Sequence, residues 1–196
     1  QHMMGTGNAL MLVEPFVDNE PFVVAYPDDI VLGKKPLAKQ LIETWEKTGN
    51  TVLSVQELAE DQLWRYGVID PEDSGEIMQV KKMVEKPKHG TAPSRFVSFG
   101  RYLYTPELFD ALRTSDKSHS SKSEFTQTEA INHMAAQGHV SAVQFEGTRY
   151  DLGDPLGFLT SALQIGLQRS EFKQTLLDEM RRLLELHDNP NDENSA

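Results

Sequence analysis

The segment Pro21-Phe22-Val23-Val24-Ala25-Tyr26 is an unbroken apolar run that stops at Pro27-Asp28-Asp29. A run this short, with no polar alternation, suits a strand buried on both faces. Its polar end puts two carboxylates at the carboxyl edge of a sheet, where α/β folds hold ligands. Leu37, Leu41, Ile42 and Trp45 then share one helical face between Pro36 and Thr48, with Pro36 in the first turn and Gly49 as the stop. Thr51 to Val55 supplies the next strand. Strand, helix and strand in this order predict an α/β fold, with a sheet at least partly parallel and right-handed crossovers.

The rest of the chain continues the alternation. Glu76 to Glu85 and Phe96 to Tyr104 read as strands separated by a loop at Lys86-Pro87-Lys88-His89-Gly90. Thr105-Pro106 opens a short helix through Leu112, and Thr114 to Ser123, rich in Ser and Lys, reads as a mobile loop. A helix from about Glu129 to Gln137 ends at Gly138, and Val140 to Phe145 is a further strand. Asp154 caps a helix opened by Pro155, with Leu156, Leu159, Leu163 and Leu167 as its apolar stripe. In the last helix Ser170 is the expected cap, and Phe172, Leu176, Leu177, Met180, Leu183 and Leu184 share a face. We expect one domain over residues 1–187 and a disordered polar tail over 188–196.

Composition narrows the partners. The 196 residues are 38% hydrophobic, enough for one sizeable core. The formal net charge of −11, from 19 Lys+Arg against 30 Asp+Glu, argues against nucleic acid, whose phosphates are met by Lys and Arg. Cysteine is absent, which removes disulfides and thiolate metal sites. No apolar stretch reaches the roughly 18 residues of a membrane span and no signal peptide opens the chain, so a soluble, cytoplasmic protein is expected. Gln1 stands first rather than methionine, and the first strand arrives only at Pro21, so a fragment of a longer chain is expected.

Several residues could carry chemistry. Asp28 and Asp29 serve either as hard oxygen ligands for a phosphate-borne Mg²⁺ or as a turn or cap. Asp151, in Tyr150-Asp151-Leu152-Gly153, is either a second carboxylate at the same crevice edge or a helix cap, with Asp154 the better-placed cap. Glu85-Lys86 ends a strand with an acceptor beside a cation, able to hold a sugar hydroxyl and a phosphate, or standing as a plain surface pair. Gly67 permits either close backbone approach to a ligand or a bulge. Gly5-Thr6-Gly7-Asn8-Ala9 could form a close-approach loop. The histidines show no metal-ligand spacing.

Taken in order, Gly5-Thr6-Gly7-Asn8-Ala9, Pro27-Asp28-Asp29, Arg65-Tyr66-Gly67-Val68, Val84-Glu85-Lys86-Pro87, Gly100-Arg101-Tyr102, Glu124-Phe125-Thr126-Gln127-Thr128-Glu129-Ala130-Ile131 and Tyr150-Asp151-Leu152-Gly153 resemble the bacterial UTP:glucose-1-phosphate uridylyltransferases. The similarity runs from Gly5 to about Met180. It implies a Rossmann-like nucleotidyltransferase fold with a mixed, mostly parallel sheet flanked by helices. It also implies that UTP and glucose-1-phosphate give UDP-glucose and pyrophosphate with Mg²⁺ as cofactor, in a homo-oligomer, dimer or tetramer. By motif, Asp28 and Asp151 would hold the metal, Gly67 would offer backbone to glucose, Glu85 would accept from its hydroxyls and Lys86 would meet the sugar phosphate. Gln1 would read uracil, and Gly5 would belong to the same nucleotide side.

The sequence departs from the family at three points. The amino-terminal strands and the glycine-rich loop that bears an arginine and a lysine are missing, about a third of the usual chain. Asn8 stands where histidine is usual, and Ser123-Glu124-Phe125 replaces a Gly-Asp/Glu-Glu/Ile stretch. Two alternatives therefore stand beside the enzyme: a truncated, non-catalytic sugar-nucleotide-binding module, and a nucleotidyltransferase for another NTP or hexose-1-phosphate.

Overall fold

In the computed structural model, which describes residues 5–118 and 125–188, the apolar run folds as strand β1, Phe22–Ala25. Helix α1, Thr6–Met11, precedes it. The chain then runs through β2 (Asp29–Leu32), α2 (Leu37–Thr48), β3 (Thr51–Glu57), β4 (Gly67–Pro71), β5 (Ile77–Glu85), β6 (Phe96–Tyr104), α3 (Glu107–Ser118), α4 (Thr128–Ala135) and β7 (Val140–Gln144). After β8 (Thr148–Asp151) come α5 (Pro155–Gln168) and α6 (Ser170–His187). Two units are distinguished, Gln1–Arg149 and Tyr150–Ala196. Gln1, the Ser123-Glu124 pair and residues 189–196 lie outside the described residues.

The first unit is built on a six-stranded sheet of order β1-β6-β3-β7-β5-β4, in which β4 also reaches back to β6. The sheet is mixed, as expected, but the expectation of mostly parallel strands is corrected. The β3–β7 ladder is parallel, whereas β1–β6, β3–β6, β4–β5, β4–β6 and β5–β7 are antiparallel. The reason lies in β6, between β1 and β3, and β5, between β7 and β4, each of which runs against both of its neighbours.

Helices on both faces explain why β3 and β6 carry so little polar alternation. On one face Val52, Val97, Phe99 and Leu103 pack with Leu37 and Leu41 of α2. On the other, Leu53, Val55, Tyr102 and Tyr104 pack with Leu108, Phe109 and Leu112 of α3 and Ile131 and Met134 of α4. Each fully buried side chain of this size, such as Leu41, contributes on the order of 2 kcal/mol. Ile42 departs from its expected inward place and is exposed, its position on α2 being taken by Thr44.

Two local expectations also change. α3 continues to Ser118, through a stretch read as loop, because Ala111, Leu112 and Ser115 bury the same face that holds its first turns. The Gly5–Ala9 segment is mostly helical rather than an open loop, and Gly7 packs its α-carbon side against the Phe125 ring.

In the second unit Asp154 caps α5 as expected, its carboxylate accepting from the Gly157 amide at 2.9 Å. α6 starts at Ser170 with Arg169 as its N-cap and no side-chain cap bond, so Ser170 is not the cap. The α5 stripe does not become a buried core: Leu156, Leu159 and Leu163 remain exposed, as do Phe172, Leu183 and Leu184 of α6. α5 and α6 approach closely at Gly166, where an added Cβ would meet Leu176 Cδ1 at 2.5 Å. No helix among the described residues is long and apolar enough to cross a membrane.

Candidate active site

The end of β1 is held by the middle of β6. The Tyr26 amide donates to the Gly100 carbonyl at 2.8 Å, and the Gly100 amide donates to Asp29 Oδ2 at 2.9 Å. A Cβ at Gly100 would stand 2.9 Å from both Asp29 Oδ2 and Tyr26 Cβ, so only glycine admits this approach. The guanidinium of Arg101 donates to the carbonyls of Tyr26 and Asp29, gripping the backbone on either side of Asp28. Gly100-Arg101-Tyr102 is thus the brace of the Asp28 turn.

The two aspartates have separate fates. Asp29 is buried, and its Oδ1 accepts from Arg149 Nε at 2.5 Å. Asp28 is exposed at the tip of the turn. Arg149 extends from Asp29 over the Phe99 ring, 4.0 Å from its centroid, and reaches the Tyr66 hydroxyl at 3.4 Å. One arginine therefore spans from the Asp28 turn to the residue before Gly67.

Gly67 opens β4 directly opposite Glu85 of β5 in the antiparallel ladder. A Cβ there would fall 3.1 Å from Glu85 Oε2 and 3.0 Å from Met83 Sδ. Glycine at this buried position leaves room for the Met83 side chain and the exposed Glu85 carboxylate to lie against the backbone. Lys86 follows with φ 44°, a left-handed conformation disfavoured for lysine by roughly 1 kcal/mol. Its amide donates to the Tyr66 carbonyl at 3.0 Å, which fixes that turn. The structure thus brings Gly67, Glu85 and Lys86 together at one strand end.

Partly buried Tyr26, at the Asp28 turn, packs with buried Tyr102 and Tyr104. Tyr26 donates to Gln127 Oε1 at 2.7 Å, and its ring meets Tyr102 edge-on at 6.1 Å. Burial raises the Tyr26 pKa, hydrogen bonding to Thr6 and Gln127 pulls it back, and the nearby charge of Asp28 adds to the rise. Tyr102 is pushed up further, by burial first, then by Tyr26 and by the charge of Glu85. Asp28 and Glu85 therefore act on adjoining tyrosines of one cluster.

A metal at this turn would rely on few protein ligands. Among the described residues no group of three or more His, Cys, Asp or Glu side chains could hold an ion. A single exposed carboxylate on a braced turn fits Mg²⁺, which binds one or two carboxylates and takes its other ligands from phosphates and water. In the second unit the Asp151 carboxylate accepts from the Gly153 amide at 3.0 Å. Gly5, on the expected nucleotide side, makes its close approach to the backbone of Phe125.

Residues 1–166 match the nucleotidyl transferase family. The chain belongs to that family. Its relatives include a UTP–glucose-1-phosphate uridylyltransferase of Staphylococcus epidermidis, 43% identical over 88% of this chain and 59% of the relative. A UTP–glucose-1-phosphate uridylyltransferase of Staphylococcus haemolyticus is 42% identical over 91% of this chain and 62% of the relative. Among solved structures, a UDP-glucose pyrophosphorylase complexed with UDP-glucose superposes with a TM-score of 0.79 at 31% identity, over 86% of this chain and 64% of that one. The chain thus spans less than two thirds of each.

The resemblance drawn from motifs and the nucleotidyltransferase fold are both borne out. Sequence reasoning missed Arg149, although it stands as a lone cation just before Tyr150-Asp151. It also quoted Gly100-Arg101-Tyr102 and Gln127 without giving them a role. No local signal assigns those roles, because each partner lies about 70 or more positions away.

Proposed function

We propose that this nucleotidyl transferase chain carries the sugar and metal side of uridylyl transfer from UTP to glucose-1-phosphate, giving UDP-glucose and pyrophosphate. The observation that carries it is the notch of Gly67, Glu85 and strained Lys86, joined to the Asp28 turn by Arg149, which bonds both Asp29 and Tyr66. The names of the relatives supply the substrates.

The chemistry is an in-line displacement with no protein nucleophile. The phosphate oxygen of glucose-1-phosphate forms a bond to the α-phosphorus of UTP, and the bond from that phosphorus to the bridging oxygen breaks as pyrophosphate leaves. Glu85 would accept from the glucose hydroxyls, the Gly67 backbone would lie along the sugar, and Lys86 Nζ would sit on the sugar phosphate. Held by Asp28, Mg²⁺ would supply charge neutralisation on the phosphates. Asp151 keeps its role as second carboxylate from the resemblance alone, as do Gln1 for uracil and Gly5 for the nucleotide side. A cytoplasmic setting and a homo-oligomer belong to the same reading, the latter supported by the exposed leucines and phenylalanines of α5 and α6.

The test is calorimetric titration of the chain with UDP-glucose, with and without Mg²⁺, beside Asp28→Ala and Glu85→Gln. Metal-dependent binding weakened by both substitutions is expected. A folded chain without affinity for UDP-glucose would overturn the proposal. Binding without turnover of UTP and glucose-1-phosphate would favour the non-catalytic module.

A further inference from the structure

The Asp28 turn and the Gly67 notch are carried on one edge of β6, whose other edge is taken by β3. β1 meets this edge over Arg101 to Tyr104 and ends with Tyr26 on the Gly100 carbonyl, and β4 begins on it with Gly67 opposite Ser98. Two strands thus enter end to end, and the gap between them falls at Phe99. Each passes there into a segment outside the ladder, Pro27-Asp28 on one side and Tyr66 on the other. Arg149 spans this gap. Its largely buried guanidinium lies 4.0 Å from the Phe99 centroid and 5.2 Å from that of Tyr66, two rings that meet edge-on at 5.6 Å. Nε bonds Asp29 on one side, and Nη1 reaches the Tyr66 hydroxyl on the other. The Tyr66 carbonyl in turn accepts from the Lys86 amide. Asp29, Arg149, Tyr66 and Lys86 therefore form one connected path across the gap.

We infer that Arg149 is a positioning residue for the uridylyl transfer proposed above: acting through Asp29 and Tyr66, it sets the spacing between the Asp28 turn and the sugar notch. On that reading, on which this inference rests, the sugar phosphate lies at Lys86 and the α-phosphate of UTP at the Asp28 turn. The attacking oxygen and the phosphorus it attacks are then carried on opposite sides of the gap. In-line displacement is sensitive to their separation, since a misplacement of about 1 Å costs roughly a hundredfold in rate. Arginine suits a fixed spacer, because its guanidinium is planar, presents its donors in a rigid fork and stacks on aromatic faces. A lysine ammonium is a single point on a flexible stem. An ion pair that served packing alone would need only the Asp29 contact. The second arm, to Tyr66, connects that pair to the notch.

The test is calorimetric titration of the full chain with glucose-1-phosphate, which the notch holds by itself, and with UDP-glucose, which spans both sides. Arg149→Lys keeps a charge for Asp29 and gives up the second arm, whereas Tyr66→Phe keeps the ring and gives up the hydroxyl. UDP-glucose affinity should fall about tenfold in Arg149→Lys and about threefold in Tyr66→Phe. Glucose-1-phosphate affinity should stay within about twofold of the starting chain in both. The double variant should bind UDP-glucose no more weakly than Arg149→Lys, since both substitutions cut the same connection. Equal losses for the two ligands would make Arg149 a packing residue and overturn the inference. So would UDP-glucose affinity that neither substitution changes, or losses that add in the double variant. In each of those cases the unaltered chain still binds UDP-glucose and the proposed function stands, whereas a folded chain with no affinity for UDP-glucose would overturn both.

Discussion

Asp29 and Arg149 form an ion pair at 2.5 Å with side chains only 12% and 13% exposed, while the neighbouring Asp28 carboxylate faces solvent. Two identical residues in succession thus divide into an anchor and a free acceptor. The division follows from position: Asp28 sits within the turn, whereas Asp29 opens β2 and turns its carboxylate to Arg149 and the Gly100 amide.

Asp29→Ala should destabilise the chain by about 3 kcal/mol, because it removes the carboxylate that pairs with a largely buried guanidinium and accepts from the Gly100 amide. Asp28→Ala should stay within about 0.5 kcal/mol, as exposed substitutions do. Urea unfolding of both variants checks this; equal losses would show that the two carboxylates are not divided in this way.

Lys86→Gly should leave stability unchanged or raise it by up to about 1 kcal/mol, since glycine takes φ 44° without strain. The same variant should lose affinity for UDP-glucose. Thermal unfolding paired with titration separates the two effects, and a marked drop in stability would mean that Lys86 is a packing residue.

Gly67→Ala and Gly100→Ala should differ in kind. At Gly100 the new methyl meets buried Asp29 and Tyr26 atoms, so a loss of about 1–3 kcal/mol is expected. At Gly67 the nearest atoms belong to an exposed carboxylate and a flexible methionine, which can shift. Folding should be nearly preserved there while UDP-glucose binding falls. Measuring stability and affinity for each variant decides the matter.

Stability should decline as pH climbs above 10.0, the ordinary tyrosine value. Tyr26, Tyr102 and Tyr104 all have raised pKa values, with burial the main cause. Above the unfolded-state value the unfolded chain has released protons that the folded chain still holds, so rising pH favours unfolding. The contribution is complete below that value and is lost on the way up to the folded-state values. Denaturation midpoints at pH 9, 10 and 11 (~1-unit steps) should fall more gently in Tyr102→Phe than in the unaltered chain.

The boundaries of β1, β5 and β6 follow closely from apolar runs and their Pro and Gly punctuation, as does the Asp154 cap of α5. Glu85 and Lys86 stood out locally because an acceptor and a cation end a strand together. Ile42 and the α5 stripe show the limit of periodicity: it marks an apolar face but not whether anything packs against that face.

What the chain determines by itself is its local grammar: strand, turn and helix, and which residue types stand at the strand ends. Only the tertiary structure decided that the sheet is mainly antiparallel, that Asp29 belongs to Arg149, and that Glu85 lies beside Gly67. These depend on strand order and register, which bring together residues from 18 to 120 positions apart. Backbone pairing sets those neighbours, and no pattern read along a single segment contains them.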